Sequence, residues 1–381
     1  MTSFTRLLKG FEVELFTGRP SGENIGVASD VVRALPEFVT EPDNRNLEYI
    51  TAPIADYGLL PEALLEPRRR LRTWLETKDL TLLPGSTLSL GDSSRFERSN
   101  PDNPYHDLIE ATYGSRVVTA SIHINLGITD MDWLFAAVRL VRCEAALLLA
   151  LSASSPFLDG ASTGHHSHRW YQFPRTPNDV PLFVDHAHFI AWIEQQLACG
   201  SMRNERHLWT SVRPNGSRRP YALNRLELRI CDLVTDPHEL LAITTLLELR
   251  LLALKTNPKE LDPLHGSSLT PAELADLAEA NDAAASLASL NADLRHWRNG
   301  ELINCRTWIR TLIDELTPLA GATHLKSQLQ PLETLLQHGN QAMRWQAAHA
   351  KGTGIAELLQ QSIQAMVDQE LISPVAHGTL G

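Results

Sequence analysis

Through the first ~235 residues, short runs that alternate apolar and polar side chains are separated by Pro, Gly, Asn and Asp, and the rest reads almost wholly as helices. In Gly10-Phe11-Glu12-Val13-Glu14-Leu15-Phe16 a period of two predicts a strand. It places Phe11, Val13 and Leu15 on one face and Glu12 and Glu14 on the other, about 7 Å apart. Residues 117 to 127 set Ser121, His123 and Asn125 against Ile122, Ile124 and Leu126, and residues 225 to 232 set Arg225, Glu227 and Arg229 against Leu226, Leu228 and Ile230. Helical spacing predicts helices over 130–154, 185–199, 301–318, 325–338 and 354–371. Asp236-Pro237-His238-Glu239 and Thr270-Pro271-Ala272-Glu273 each supply a cap residue, a Pro at the first helical position and a Glu at the third, so each starts a helix. Arg68-Arg69-Arg70 and Arg72 fall in a helix after Pro61 and read as a solvated face.

These shifts divide the chain into a mixed region, 1–240, and a helical region, 241–381, expected to pack on it. No internal repeat is visible. Hydrophobic residues are 43% and charged residues 21% of the 381, an ordinary globular balance. With 34 Lys+Arg against 45 Asp+Glu, the formal charge of −11 argues against a broad phosphate-neutralising surface, so no nucleic-acid partner is expected. The start passes from Met1 into the first strand without an apolar leader, and the greasy stretch 133–151 contains Arg139, Arg142 and Glu144. A cytoplasmic protein with no membrane span is therefore expected. The cysteines, Cys143, Cys199, Cys231 and Cys305, are far apart and form no C-x-x-C pair, so reduced structural thiols are expected.

What the polar strand faces are for is the open question. One face of an antiparallel sheet is often wet, and Arg, Glu, Arg alternation suits a cross-strand ion-pair ladder. Carboxylates, an imidazole, an amide and guanidiniums also form a set that suits divalent cations and phosphates: Mg²⁺ takes carboxylate and phosphate oxygens, and Arg clamps phosphoryl oxygens. Asp43 and Glu48 in residues 41–53 lead into a further strand of the same kind.

Four segments in this order resemble the glutamate-cysteine ligase and carboxylate-amine ligase superfamily. They are Gly10-Phe11-Glu12-Val13-Glu14; Asp43 with Leu47-Glu48-Tyr49-Ile50-Thr51-Ala52-Pro53; His123-Ile124-Asn125; and Arg225-Leu226-Glu227-Leu228-Arg229. Residues 150–169, ALSASSPFLDGASTGHHSHR, resemble the superfamily's Ser-Pro-Phe turn followed by Thr-Gly and a Ser/Arg pair. The match spans residues 10 to 232 and is nearest to the cyanobacterial kind. One departure is Asn125, where many relatives carry a second imidazole.

The resemblance implies an α+β, glutamine synthetase-like fold: a funnel-shaped antiparallel sheet flanked by helices, with a helical C-terminal region. It implies ATP as co-substrate, two or three Mg²⁺ ions, and ligation of the glutamate γ-carboxylate to cysteine through γ-glutamyl phosphate, by a monomer or homodimer. By position, Glu12, His123 and Glu227 would hold the metal nearest the transferring phosphate, and Glu14, Asp43 and Glu48 the one nearest the glutamate carboxylate. Arg229 would be catalytic, Arg169 and Thr163 would bind substrate, and Asn125 and Arg225 the nucleotide. The rivals are a ligase of this fold with another amine and a non-catalytic metabolite sensor. His165-His166-Ser167-His168 lacks cysteine partners and is not read as a zinc site.

Overall fold

A computed structural model describes residues 5–371. Nine strands assemble before residue 230: β1 (Lys9–Gly18), β2 (Phe38–Thr40), β3 (Asn46–Ile50), β4 (Thr81–Leu83), β5 (Ile122–Gly127), β6 (Phe157–Leu158), β7 (Ala161–Ser162), β8 (Val212–Asn215) and β9 (Arg225–Leu228). Seven of them form one sheet in the order β2-β3-β1-β5-β9-β8, with β4 also on β1. All the pairings are antiparallel. Phe16 of β1 opposes both Asn46 and Leu83, whereas Glu12 opposes both Ile50 and His123. β4 and β5 therefore share one edge of β1, end to end.

The alternation decides which way the sheet faces. Phe11, Val13, Leu15, Leu47, Ile122, Ile124, Leu126, Leu226 and Leu228 are all buried in one apolar cluster. Helices Met131–Ser152 and Pro237–Thr256 belong to the same cluster, which runs from Leu7 to Met366 and so includes side chains on both sides of residue 240. The helix Pro237–Thr256 itself crosses that position. Its Glu248 reaches under the sheet to Lys9 at 2.9 Å, both fully buried.

The predicted helix starts hold for identifiable reasons. Asp236 accepts from the N–H groups of His238 and Glu239, and Thr270 with Glu273 forms a reciprocal capping box. The charges inside the greasy helix Met131–Ser152 are paired: Arg139 with Asp262, Arg142 with Glu279, and Glu144 with Arg250 and the Trp297 indole. Among the described residues no helix is long and apolar enough to cross a membrane.

One expectation is corrected. Arg68 and Arg72, on the helix Leu60–Glu76, are buried rather than solvated, because both meet Glu370 of the last helix, Ile355–Leu371. Arg70 alone of that run is more than half exposed, beside Glu37. The four cysteines are free thiols, and only Cys199 is exposed.

Candidate active site

The sheet face opposite the core collects the ionisable side chains. Register places Glu12 across from His123, Asn125 across from Glu227, Glu227 across from Arg213, and Glu14 across from Glu48. Two groups of donor atoms result: Glu12, His123 and Glu227, and Glu14, Glu41 and Glu48, each with its atoms within 4.8 Å of one another.

In the first group His123 Nδ1 is 3.0 Å from Glu12 Oε2 and 3.8 Å from Glu227 Oε1. Its Nε2 is 3.2 Å from the Ser121 hydroxyl, which donates to Glu14 Oε2 at 2.8 Å. Asn125 joins the row, donating to Glu12 at 3.1 Å and accepting from Arg225 Nε at 3.0 Å. Glu227 is fully buried. It accepts from Arg213 Nε at 2.7 Å and Nη2 at 3.0 Å, from Asn215 Nδ2 at 2.6 Å and from Arg229 Nη1 at 2.5 Å.

Electrostatics separates the two groups. Burial works against ionisation of Glu227, but the Arg213 and Arg229 guanidiniums hold its carboxyl well below the usual range. Burial likewise opposes ionisation of Glu12, but the His123 hydrogen bond together with the charges of His123 and Arg229 holds its carboxyl below the usual range. In the second group burial pushes Glu41 up to about 8, helped by the charge of Glu14, and pushes Glu48 up to about 10, helped by Glu41, Glu12 and Glu14. Among the described residues no Lys or Arg nitrogen lies within salt-bridge distance of Glu14, Glu41 or Glu48. Three crowded carboxyl groups with no Lys or Arg in salt-bridge contact among the described residues, and a carboxylate pair joined by an imidazole, are donor sets that fit hard divalent cations such as Mg²⁺.

The structure does not bring Asp43, Arg169 or Thr163 to either group. Both oxygens of Asp43 are taken by Arg45, at 2.8 Å each, and the Glu97 N–H donates to one of them. Glu41, just past the end of β2, stands beside Glu48 instead. Arg169 is buried, with Nε on Asp232 at 2.8 Å and Nη2 on the carbonyls of Arg229 and Ile230. It is a strut behind the segment just past β9 that carries Arg229. The Thr163 hydroxyl donates to the Pro156 carbonyl at 3.1 Å and accepts from the His165 N–H at 3.2 Å, within its own turn. Of the histidine cluster, His165 stacks on Tyr171 and His166 meets Ser289.

Sequence reading missed Glu41, Arg213 and Asn215. The last two were accessible through the two-residue spacing of Ser211, Arg213 and Asn215, obscured by Pro214 and Gly216.

An antiparallel α+β sheet with helices behind it is an architecture shared with solved ligases. The structure matches a bifunctional glutathione synthetase from Pasteurella multocida (TM-score 0.73, 16% identity), covering 96% of this chain and 53% of that one, so this chain spans about half of that protein. It also matches the glutamate–cysteine ligase of Francisella tularensis in complex with AMP (TM-score 0.74, 12% identity), covering 97% and 90%. The chain belongs to glutamate-cysteine ligase family 2, whose model matches residues 8–367, and is thus of the carboxylate–amine ligase class. A protein named putative glutamate–cysteine ligase 2-1 from Rubrobacter xylanophilus is 25% identical over 356 residues, 90% of each chain. One named putative glutamate–cysteine ligase 2 from Herpetosiphon aurantiacus is 31% identical over 154 residues, 39% of this chain and 38% of that one.

Proposed function

We propose that this protein joins the γ-carboxylate of glutamate to the amine of cysteine with ATP, through γ-glutamyl phosphate, the first step of glutathione synthesis. The observation that carries the reading is the meeting, on one sheet face, of two hard-cation donor groups with the Arg229 guanidinium. The AMP complex of the Francisella ligase supports an adenine nucleotide as a ligand of this fold. The closer kinship with cyanobacterial members rests on the motif run alone.

A carboxylate is a poor electrophile, so its oxygen first attacks the γ-phosphorus and ADP leaves. The amine then attacks the acyl carbon, and the departing phosphate carries the proton the amine gives up. The protein's share is positioning and charge neutralisation. Divalent cations held by Glu12, His123 and Glu227 and by Glu14, Glu41 and Glu48 would supply charge neutralisation at the phosphoryl and carboxylate oxygens. Among the described residues only Nη1 of Arg229 is hydrogen-bonded, to Glu227 and, at 3.4 Å, His123. Nε and Nη2 are left for the equatorial oxygens of the transferring phosphoryl group. Asn125 and Arg225, already linked to each other, would face the nucleotide.

ADP release with Mg²⁺-ATP, glutamate and a panel of amines tests this. Cysteine far above the rest is the expected outcome. Preference for another amine would reassign the acceptor, and no turnover with any amine would leave a metabolite sensor. Glutamate with no amine should give slow ADP release and 5-oxoproline, because a trapped acyl phosphate is open to its own α-amino group.

A further inference from the structure

The connection between β8 and β9 delivers a guanidinium that these roles leave unused. Arg219 Nη1 is enclosed and has no hydrogen-bond partner among the described residues. The carboxylate oxygen within reach, Glu227 Oε2, is 3.9 Å away and already holds Arg213 Nε and Asn215 Nδ2. The single charge of Glu227 thus faces three guanidiniums, those of Arg213, Arg219 and Arg229. The surplus is local: residues 203–229 carry seven arginines against two glutamates in a chain of net charge −11. An enclosed donor without an acceptor among the described residues, and a cation that shares its salt-bridge carboxylate with two others, both cost folding free energy, so their presence points to a ligand that completes them.

The loop is built to hold this group still. A Cβ on Gly216 would lie 1.9 Å from the Ala222 carbonyl oxygen and 2.6 Å from Leu223 Cα, so only glycine allows that approach. The N–H groups of Tyr221 and Ala222 donate to the Arg218 carbonyl at 2.9 and 2.8 Å. The Pro220 carbonyl meets His186 Nε2 at 2.8 Å, and the Tyr221 hydroxyl donates to Glu194 at 2.7 Å. A fixed cation recognises an anion without first losing side-chain entropy.

We propose that Arg219 is an oxyanion-binding residue of this site, taking phosphoryl oxygens of the nucleotide's triphosphate beside Arg229. Arg219 lies against Glu227 and Arg229 rather than with Glu14, Glu41 and Glu48, which favours a phosphoryl group over the glutamate carboxylate as the source of those oxygens. The inference rests on the ligase reading for the identity of the nucleotide, but the anion itself can be tested without turnover.

Calorimetric titration of the full chain with inorganic tripolyphosphate and Mg²⁺, without nucleotide or amino acid, is the measurement. Arg219→Gln should weaken binding roughly 10- to 100-fold, Arg219→Lys less, and Arg218→Gln, an exposed neighbour, little. The unfolding midpoint of ligand-free Arg219→Gln should equal or exceed that of the unmodified chain, because an uncompensated cation has been removed; a purely structural arginine would lower it. The proposal is overturned by undetectable tripolyphosphate binding to the unmodified chain, by unchanged affinity in Arg219→Gln, or by an equal loss in Arg218→Gln. A loss confined to glutamate or cysteine binding would also overturn it, by assigning the oxyanion to a carboxylate. If tripolyphosphate binding depends on Arg219 while glutamate and cysteine give no product, the ligase reading falls and this one stands.

Discussion

Replacing Glu227 by Gln changes almost no volume, removes one charge and leaves one acceptor oxygen where two stood. Strand alternation alone suggests that such a change spares the fold. The structure says otherwise, because Glu227 is the counter-ion of two largely enclosed arginines, Arg213 and Arg229, whose side chains are 7% and 13% exposed. With an effective dielectric constant of 20, a unit charge 2.7 Å from Arg213 or 2.5 Å from Arg229 gains about 6 kcal/mol from each. Repulsion by Glu12, within 4.8 Å, returns at least about 3.5 kcal/mol on the same scale, still well short of the two attractions together. Attraction dominates, and after relaxation the loss should be about 3–5 kcal/mol, as for other buried pairs deprived of one partner.

Urea unfolding of the full chain, with and without Mg²⁺, measures that loss, and calorimetry measures Mg²⁺ affinity. Adding Arg213→Met to Glu227→Gln should recover about 1–3 kcal/mol of stability by removing the stranded cation, without restoring Mg²⁺ affinity. If Glu227→Gln stays within about 1 kcal/mol of the unmodified chain, Glu227 is not the counter-ion described. If Mg²⁺ affinity is also unchanged, the group of Glu12, His123 and Glu227 is not a cation site.

Glu41→Gln should weaken Mg²⁺ binding at least about tenfold with stability unchanged or raised, whereas Asp43→Asn should lower stability and leave Mg²⁺ binding in place; the reverse pattern would return Asp43 to the site. Asp282 is buried with neither oxygen in a well-formed hydrogen bond among the described residues, and burial, against the pull of Arg142, Arg175 and Ser211, pushes its carboxyl up to about 7. The folded chain therefore holds a proton that the unfolded chain has released, and stability should fall as pH rises from the ordinary carboxylate range to about 7. Asp282→Asn should flatten that slope and be the more stable form at pH 8 by roughly 1–3 kcal/mol in urea titrations; a slope unchanged by the substitution would refute the assignment. Glu370→Gln should speed amide hydrogen exchange across residues 355–371, since Arg68 and Arg72 lose their shared carboxylate; protection equal to the unmodified chain would show that the latch carries no load.

What was legible in the sequence, and what was not, follows from the range of the interactions involved. Alternation over six or seven residues assigns Glu12, Glu14, His123, Glu227 and Arg229 to one sheet face, because the face a side chain takes in a strand is a local property. Cap chemistry at Asp236 and Thr270 is local in the same way. Which charges on a face or helix are already spent as counter-ions is not local. Arg68 and Arg72 look like a surface run because Glu370 lies 302 and 298 residues further on. Asp43 and Glu41 are equivalent by composition and nearly so by position. They part only because Asp43 meets Arg45 while the end of β2 brings Glu41 beside Glu48. The same distinction governs Glu227. Its two oxygens accept four hydrogen bonds, which uses the acceptor sites of a carboxylate, so a cation can join Glu12 and His123 there only if a donor leaves. Arg213 and Asn215 come from the paired strand β8 and are buried, whereas Arg229 has one engaged nitrogen and the more exposed side chain. Arg229 is therefore the donor that would yield, and the guanidinium proposed to meet the phosphoryl group is the one that cation binding would set free.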